Sequence, residues 1–208
     1  DDLRCGECTV RPKVEDRAVD GENMPWTVSG LVRADAMEIV QDEGRPVYGG
    51  TPTDQSVIEA IQALNVAGKK VMYYSFILMD PFKGNTLPDP YSDNAFQPNL
   101  PWRGRINLSE APGRTGSPDG TAVADAEVAA FFGTVRAAHF VVGEGEVTYS
   151  GPDEWSLTRF ILHNAALCAA AGGVEAYCIS TEMRGLTWIR GAGGAFPAVA
   201  RLRSLAAG

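Results

Sequence analysis

Positive charge is scarce in this chain of 208 residues: 18 Lys and Arg face 26 Asp and Glu, for a formal net charge of -8. Phosphate binding needs clustered Lys and Arg, and none cluster here, so direct contact with nucleic acid is not expected. Long apolar runs are missing as well. The longest, Val71 to Met79, falls far short of the about 20 residues that cross a bilayer, so no membrane-spanning segment is expected. Histidine is limited to His139 and His163. Neither has a neighbouring Ser or Cys arrangement suited to a nucleophile, and both read as structural. Cysteine is limited to four positions. Cys5 and Cys8 form a lone CxxC with no two further ligands nearby, so no metal is expected there. Cys168 and Cys178 sit in apolar helix and strand patterns and read as buried thiols. Gly191-Ala192-Gly193-Gly194 lacks both the order and the strand-to-helix setting of a phosphate-cradling loop. No cofactor is expected.

What is present is ordinary globular material, 45% apolar and 21% charged, enough for one sizeable core and read as a single domain over residues 1–208. Residues 1–30, with Pro12 and Pro25 and no periodicity, read as loop with the end of a strand. Leu31 to Val40 is expected to be a short helix closed by Gly44, and Pro46 to Gly50 a short buried strand. From Ser56 to Ala67, Val57, Ile61 and Leu64 recur at helical spacing before Gly68. Val71 to Met79 then reads as a parallel strand buried on both faces. Seven prolines between Pro81 and Pro118 make residues 80–120 an irregular excursion. A helix follows over Thr121 to Ala138, with Gly133 set to shorten or bend it, then a hairpin over His139 to Ser150. A second strong helix runs from Glu154 to Ala171, stopped by Gly172-Gly173, and a strand from Val174 to Thr181 follows it. Helix-then-buried-strand order is the grammar of β/α barrels and doubly wound sheets. A complete eight-stranded barrel takes about 250 residues. With ends at Asp1-Asp2-Leu3 and Leu205-Ala206-Ala207-Gly208, the chain reads as part of one.

Glu182 is the first charged residue past that last strand. In parallel barrels the site lies at the carboxyl ends of the strands, and a carboxyl group withdrawn from water there is able to stay protonated and act as a general acid. The plainer reading has Glu182 capping the next turn or pairing with Arg184 or Arg190. Glycoside hydrolysis needs a second carboxylate, about 5 to 5.5 Å away for retention or about 6.5 to 9.5 Å for inversion. Asp80, just past the strand ending at Met79, points toward the same face; Asp89 and Asp93 are further candidates, with turn polarity the favoured alternative. Trp102, Trp155 and Trp188 fall near strand ends, where they either stack on sugar rings or pack in the core. Arg103 and Arg105 flank Gly104 and suit substrate contact or, slightly favoured, bracing of the excursion against carboxylates.

Several segments in order, Val71 to Asp80, Leu87-Pro88-Asp89-Pro90, Pro101-Trp102-Arg103-Gly104-Arg105, Gly116-Ser117-Pro118-Asp119-Gly120 and Ser180 to Thr187, together resemble a known family. It is the TIM-barrel-like glycoside hydrolase domain of the tail baseplate, or host specificity, protein of gene transfer agents and tailed phages. Cys5-Gly6-Glu7-Cys8 with Val10-Arg11-Pro12, and Tyr48-Gly49-Gly50-Thr51-Pro52, resemble its early segments. The resemblance implies a (β/α)8 barrel of which the N-terminal half to two-thirds is present. Pro46 to Gly50 would then belong to the second strand, Val71 to Met79 to the third and Val174 to Thr181 to the fourth. It implies Glu182 as general acid/base, with Thr181 where Asn is commonest, and a nucleophilic carboxylate on a seventh strand outside residues 1–208, so the isolated chain is expected to be inactive. It further implies action on host surface or cell-envelope glycan, with Asp80, Trp102, Arg103, Trp155 and Trp188 as substrate contacts. Other tail baseplate and hub proteins and host surface polysaccharide are the implied partners, and a particle tail tip, made in the bacterial cytoplasm, the implied location. The alternative is a non-catalytic structural or glycan-binding barrel serving adsorption and assembly.

Overall fold

Short elements follow one another along the chain, and a computed structural model describes them for residues 2–17 and 25–207. In order they are β1 (Lys13–Val14), β2 (Thr27–Val28), β3 (Leu31–Val32), β4 (Met37–Glu38), β5 (Gln41–Asp42), β6 (Arg45–Pro46), α1 (Asp54–Val66), β7 (Met72–Tyr74), α2 (Ala122–Phe132), β8 (Phe140–Gly143), β9 (Glu146–Tyr149), α3 (Leu157–Ala170), β10 (Ala176–Cys178), α4 (Arg184–Thr187) and α5 (Pro197–Ala207). The part of the N-terminal loop reading that falls on 18–24 lies outside the described residues. Among those residues the strands form five two-stranded sheets and no closed barrel. No helix among them is long and apolar enough to cross a membrane.

The expected helices form where local chemistry favours them. α1 ends in a left-handed Gly68 whose N–H reaches Asn65 O at 2.9 Å, while Lys69 N reaches Leu64 O at 2.9 Å, the paired bonds of a Schellman stop. α3 ends the same way, Gly172 N bonding Ala169 O and Gly173 N bonding Cys168 O. Thr121 and Ser156 cap α2 and α3 by accepting from Val123 N and Arg159 N, which fills orphan donors of the first turn. α2 is shorter than the pattern to Ala138 suggested, because Gly133 turns left-handed at φ +68.

The short-strand expectations need correction. Leu31 to Val40 is not a helix: β2 and β3 form an antiparallel hairpin whose turn residues, Ser29 and Gly30, both have positive φ, as a tight two-residue hairpin turn requires. Glu43-Gly44 does the same between β5 and β6, so the extended part of Pro46 to Gly50 ends at Pro46 and is antiparallel rather than a barrel strand. The hairpin over 139–150 forms, as β8 against β9. Val71 to Met79 and Val174 to Thr181 pair only through β7 and β10, in parallel register Met72 to Ala176, Tyr73 to Tyr177 and Tyr74 to Cys178. Burial on both faces fails: Met72, Tyr74, Phe76 and Leu78 are exposed, whereas Val71, Ile77 and Met79 are buried. Parallel strands bury both faces only when layers cover both, and here the helices pack on one.

The main core gathers Phe131 and Phe132 of α2, Leu157 and Ile161 of α3, Ile77 and Met79, and Met183, Leu186 and Ile189 around α4. Cys5 and Cys8 lie in it, and Ile106 and Leu108 bring the excursion into it. That excursion carries one 3-10 turn, Arg103–Arg105, and is held by polar contacts. Gln97, fully buried, accepts from Leu3 N at 2.9 Å and donates to Asp2 Oδ1 at 2.6 Å and Pro88 O at 3.0 Å.

Candidate functional site at the strand ends

Because β7 and β10 run parallel, the segments that leave them, Ser75 to Asp80 and Ile179 to Glu182, emerge at one edge of the sheet. Glu182 takes a left-handed backbone conformation there, φ +57, uncommon for a residue with a Cβ and a form of strain that concentrates at functional positions. Its Oε2 accepts a hydrogen bond from Trp102 Nε1 at 2.7 Å and lies 2.9 Å from Arg103 Nη2. Arg103 also donates from Nε to Thr181 O at 3.3 Å, and its guanidinium lies 4.9 Å from the Phe76 ring. One arginine thereby ties the segment after β7 to the segment after β10.

Two glycines permit this arrangement. A Cβ on Gly104 would lie 2.5 Å from Cζ2 and Cζ3 of Trp102, so the indole folds back over that residue. A Cβ on Gly185 would lie 2.6 Å from Ile106 O and 2.8 Å from Gly104 O, so α4 sits directly on the backbone of the excursion.

The Glu182 side chain is 49% exposed, so the withdrawal from water expected of a strand-end acid is not supplied. Its partner is Arg103, not Arg184 or Arg190. Arg190 is committed to Asp119, donating from its backbone N at 2.7 Å and from Nε at 2.8 Å. Arg184 lies over the Trp188 ring at 4.5 Å. Among the described residues nothing hydrogen-bonds Glu182 Oε1. The result is a carboxylate with one oxygen anchored and the other open to a hydrogen bond from a ligand.

Trp102, the hydrogen-bond donor to Glu182, also lines a cavity of about 490 Å³ whose lining includes Trp188, Arg105 and Arg184 but not Glu182 itself. A second cavity of about 410 Å³ is lined by Asp80, Trp155, Tyr48, Phe76 and His163, and Phe76 is the ring under Arg103. Asp80 is ion-paired with Lys13 of β1. Burial, and then the nearby Asp80 charge, push the Tyr48 hydroxyl upward. Trp155 is covered by Arg159 at 3.7 Å, with Arg11 at 5.5 Å. His163 Nε2 meets Asp54 Oδ1 at 2.7 Å, and His139 Nδ1 accepts from Arg136 N at 3.1 Å. Asp89 receives Tyr91 N and Ser92 Oγ and Asp93 pairs with Arg114 at 2.5 Å, the turn and surface roles of the plainer reading.

Of the expected contacts, the structure brings Glu182, Trp102 and Arg103 together and places Trp188 across the adjoining cavity, while Asp80 and Trp155 line the other one. Arg105 braces the excursion, though loosely, 3.6 Å from Asp89. Phe76 and the two glycines were not anticipated; Arg-Gly-Arg at 103–105 and Arg-Gly-Leu at 184–186 were the available signals. Among the described residues no group of three or more His, Cys, Asp or Glu is placed to hold a metal.

Residues 155–208 match the family model of the GTA (gene transfer agent) TIM-barrel-like domain. The matched stretch carries α3, β10, Glu182, α4, Trp188 and α5; Asp80, Trp102 and Arg103 precede it. No curated protein matches the chain.

Proposed function

We propose that this chain is a glycan-processing domain of a gene-transfer-agent-type particle, acting at the tail tip on host surface or cell-envelope polysaccharide with Glu182 as general acid/base. The observation that carries the reading is Glu182 itself: a carboxylate beyond a parallel strand, in a left-handed backbone conformation, anchored through one oxygen by Trp102 and Arg103 and bare at the other. Strain of this kind persists only where surrounding contacts hold it, and half-exposed tryptophans beside a carboxylate offer the flat faces on which sugar rings stack. Baseplate and hub proteins and the host polysaccharide are the partners this assigns.

A second reading has a specific observation behind it. The Arg103 ion pair and the half-exposure of Glu182 suit a glycan-binding or assembly role as well as proton transfer, and Asp80, the other strand-end carboxylate, is tied to Lys13. Reducing ends released from purified host envelope polysaccharide distinguish the two. The hydrolase reading expects release by a protein that carries both Glu182 and the partner carboxylate of the seventh strand, and a fall of about 10²–10⁴-fold in its Glu182→Gln variant, the usual contribution of a general acid. No release by that two-carboxylate protein sinks it and leaves the binding module.

A further inference from the structure

We infer that the cavity sharing Trp102 with the Glu182 site is a subsite for a negatively charged sugar, its carboxylate taken by Arg184 with Arg105 in support while Trp102 and Trp188 hold the ring. The inference rests on the glycan reading above and names the class of glycan. Its starting point is an imbalance of charge. In a chain of formal net charge -8, this cavity is lined by Arg105, Arg184 and Arg190 against a single carboxylate, Asp119. Asp119 is spent on Arg190, which donates to it from the backbone N, Nε and Nη2.

Of the other two, Arg105 shares the buried Asp89, which lies outside the cavity lining, and Arg184 is not neutralised. Among the described residues Arg184 makes no ion pair, and its guanidinium rests over Trp188 at 4.5 Å. Arg105 lies 3.6 Å from Asp89 Oδ1, beyond hydrogen-bond range. That oxygen already accepts from Tyr91 N at 3.1 Å. Arg105 Nε is buried without a partner, and the guanidinium lies 4.4 Å from the Tyr91 ring. Two guanidinium groups therefore lie over aromatic rings, Arg184 with no carboxylate partner and Arg105 with its Nε unfilled. The planar fork of arginine matches the two oxygens of a carboxylate, so the occupant that completes them is anionic. The tryptophans decide that it is a sugar: Trp102 is 47% and Trp188 62% exposed, in a cavity of about 490 Å³, a size typical of small-ligand sites.

The test measures binding and cleavage separately, by titration calorimetry and reducing-end release. The probes are hexagalacturonate, a mannuronate hexamer and a hyaluronate hexamer, each beside its methyl-esterified form. At least one free acid is expected to bind about tenfold more tightly than its ester, with affinity falling as salt rises. Arg184→Gln is expected to remove about tenfold of that affinity, as for loss of a charge-assisted hydrogen bond, and so to bring acid and ester binding close together. Arg105→Gln, checked for folding by circular dichroism, is expected to act likewise. Equal binding of acid and ester, no binding of any acid, or selectivity that survives both substitutions overturns the inference. Acid-selective binding without cleavage by the protein that carries both carboxylates overturns the hydrolase reading alone. Release from neutral glycan, with the acids neither bound nor cleaved, overturns the subsite alone.

Discussion

Glu182 was legible as the first charged residue past an apolar strand, but its environment was not. The partners that define it, Trp102 and Arg103, come from the excursion, and no local pattern pairs residues so far apart in the chain. The same limit applies at Gly133, which the pattern marked only as a place where a helix shortens. In the fold it is left-handed, and a Cβ there would lie 2.5 Å from Ser156 Cβ and closer still to Glu154 Oε1. Gly133→Ala is expected to lower the unfolding free energy by about 1–3 kcal/mol, since both backbone strain and overlap oppose it. Urea denaturation measures this; an unchanged midpoint would contradict the packing described.

The helices were read well because their signals are local: apolar spacing, a capping hydroxyl, a glycine stop. Ser156 shows how much one such signal holds. It accepts from Arg159 N at the start of α3 and donates to Glu154 Oε1 at 2.8 Å, so a single hydroxyl caps the helix and fixes the loop before it. Ser156→Ala is expected to cost about 1 kcal/mol, typical of a lost N-cap, read as a lower thermal midpoint; Ser156→Thr is expected to recover most of it. The two- and three-residue strands were read poorly. Leu31 to Val40 has helical spacing, yet the turn at Ser29-Gly30 pairs Leu31 and Val32 back on β2, Arg33–Asp35 makes only a 3-10 turn, and β4 pairs with β1, so turn and strand pairing outweigh a weak periodicity.

Across the molecule, acidic groups hold loops to helices, and this sets the response to pH. Burial alone would raise Glu154, but hydrogen bonds from Ser156, Thr134 and Val135 outweigh it and hold the carboxyl below its ordinary range. Burial likewise would raise Asp2, and hydrogen bonds from Arg4 and Gln97 more than offset it, so its carboxyl too is held below its ordinary range. A depressed folded-state value contributes stability that is present above the unfolded value, about 4 for a carboxylic acid, and is lost as pH falls through the folded value. Denaturant midpoints are therefore expected to be flat near neutrality and to fall below about pH 4, with a shallower fall in Glu154→Gln. Identical acid slopes for the two proteins would show that the Glu154 bonds are not made in solution.

The sequence by itself determined α1, α2 and α3, their stops, the irregular course of residues 80–120 and the strand-end position of Glu182, because each depends on neighbours within a turn or two. Contacts across about a hundred residues decided the rest: the parallel pairing of β7 with β10, the exposed face of Met72, Tyr74, Phe76 and Leu78, and the Trp102 and Arg103 clamp on Glu182. Periodicity reports which face of an element is apolar. It does not report which distant segment comes to cover that face, or which arginine reaches the carboxylate at its end.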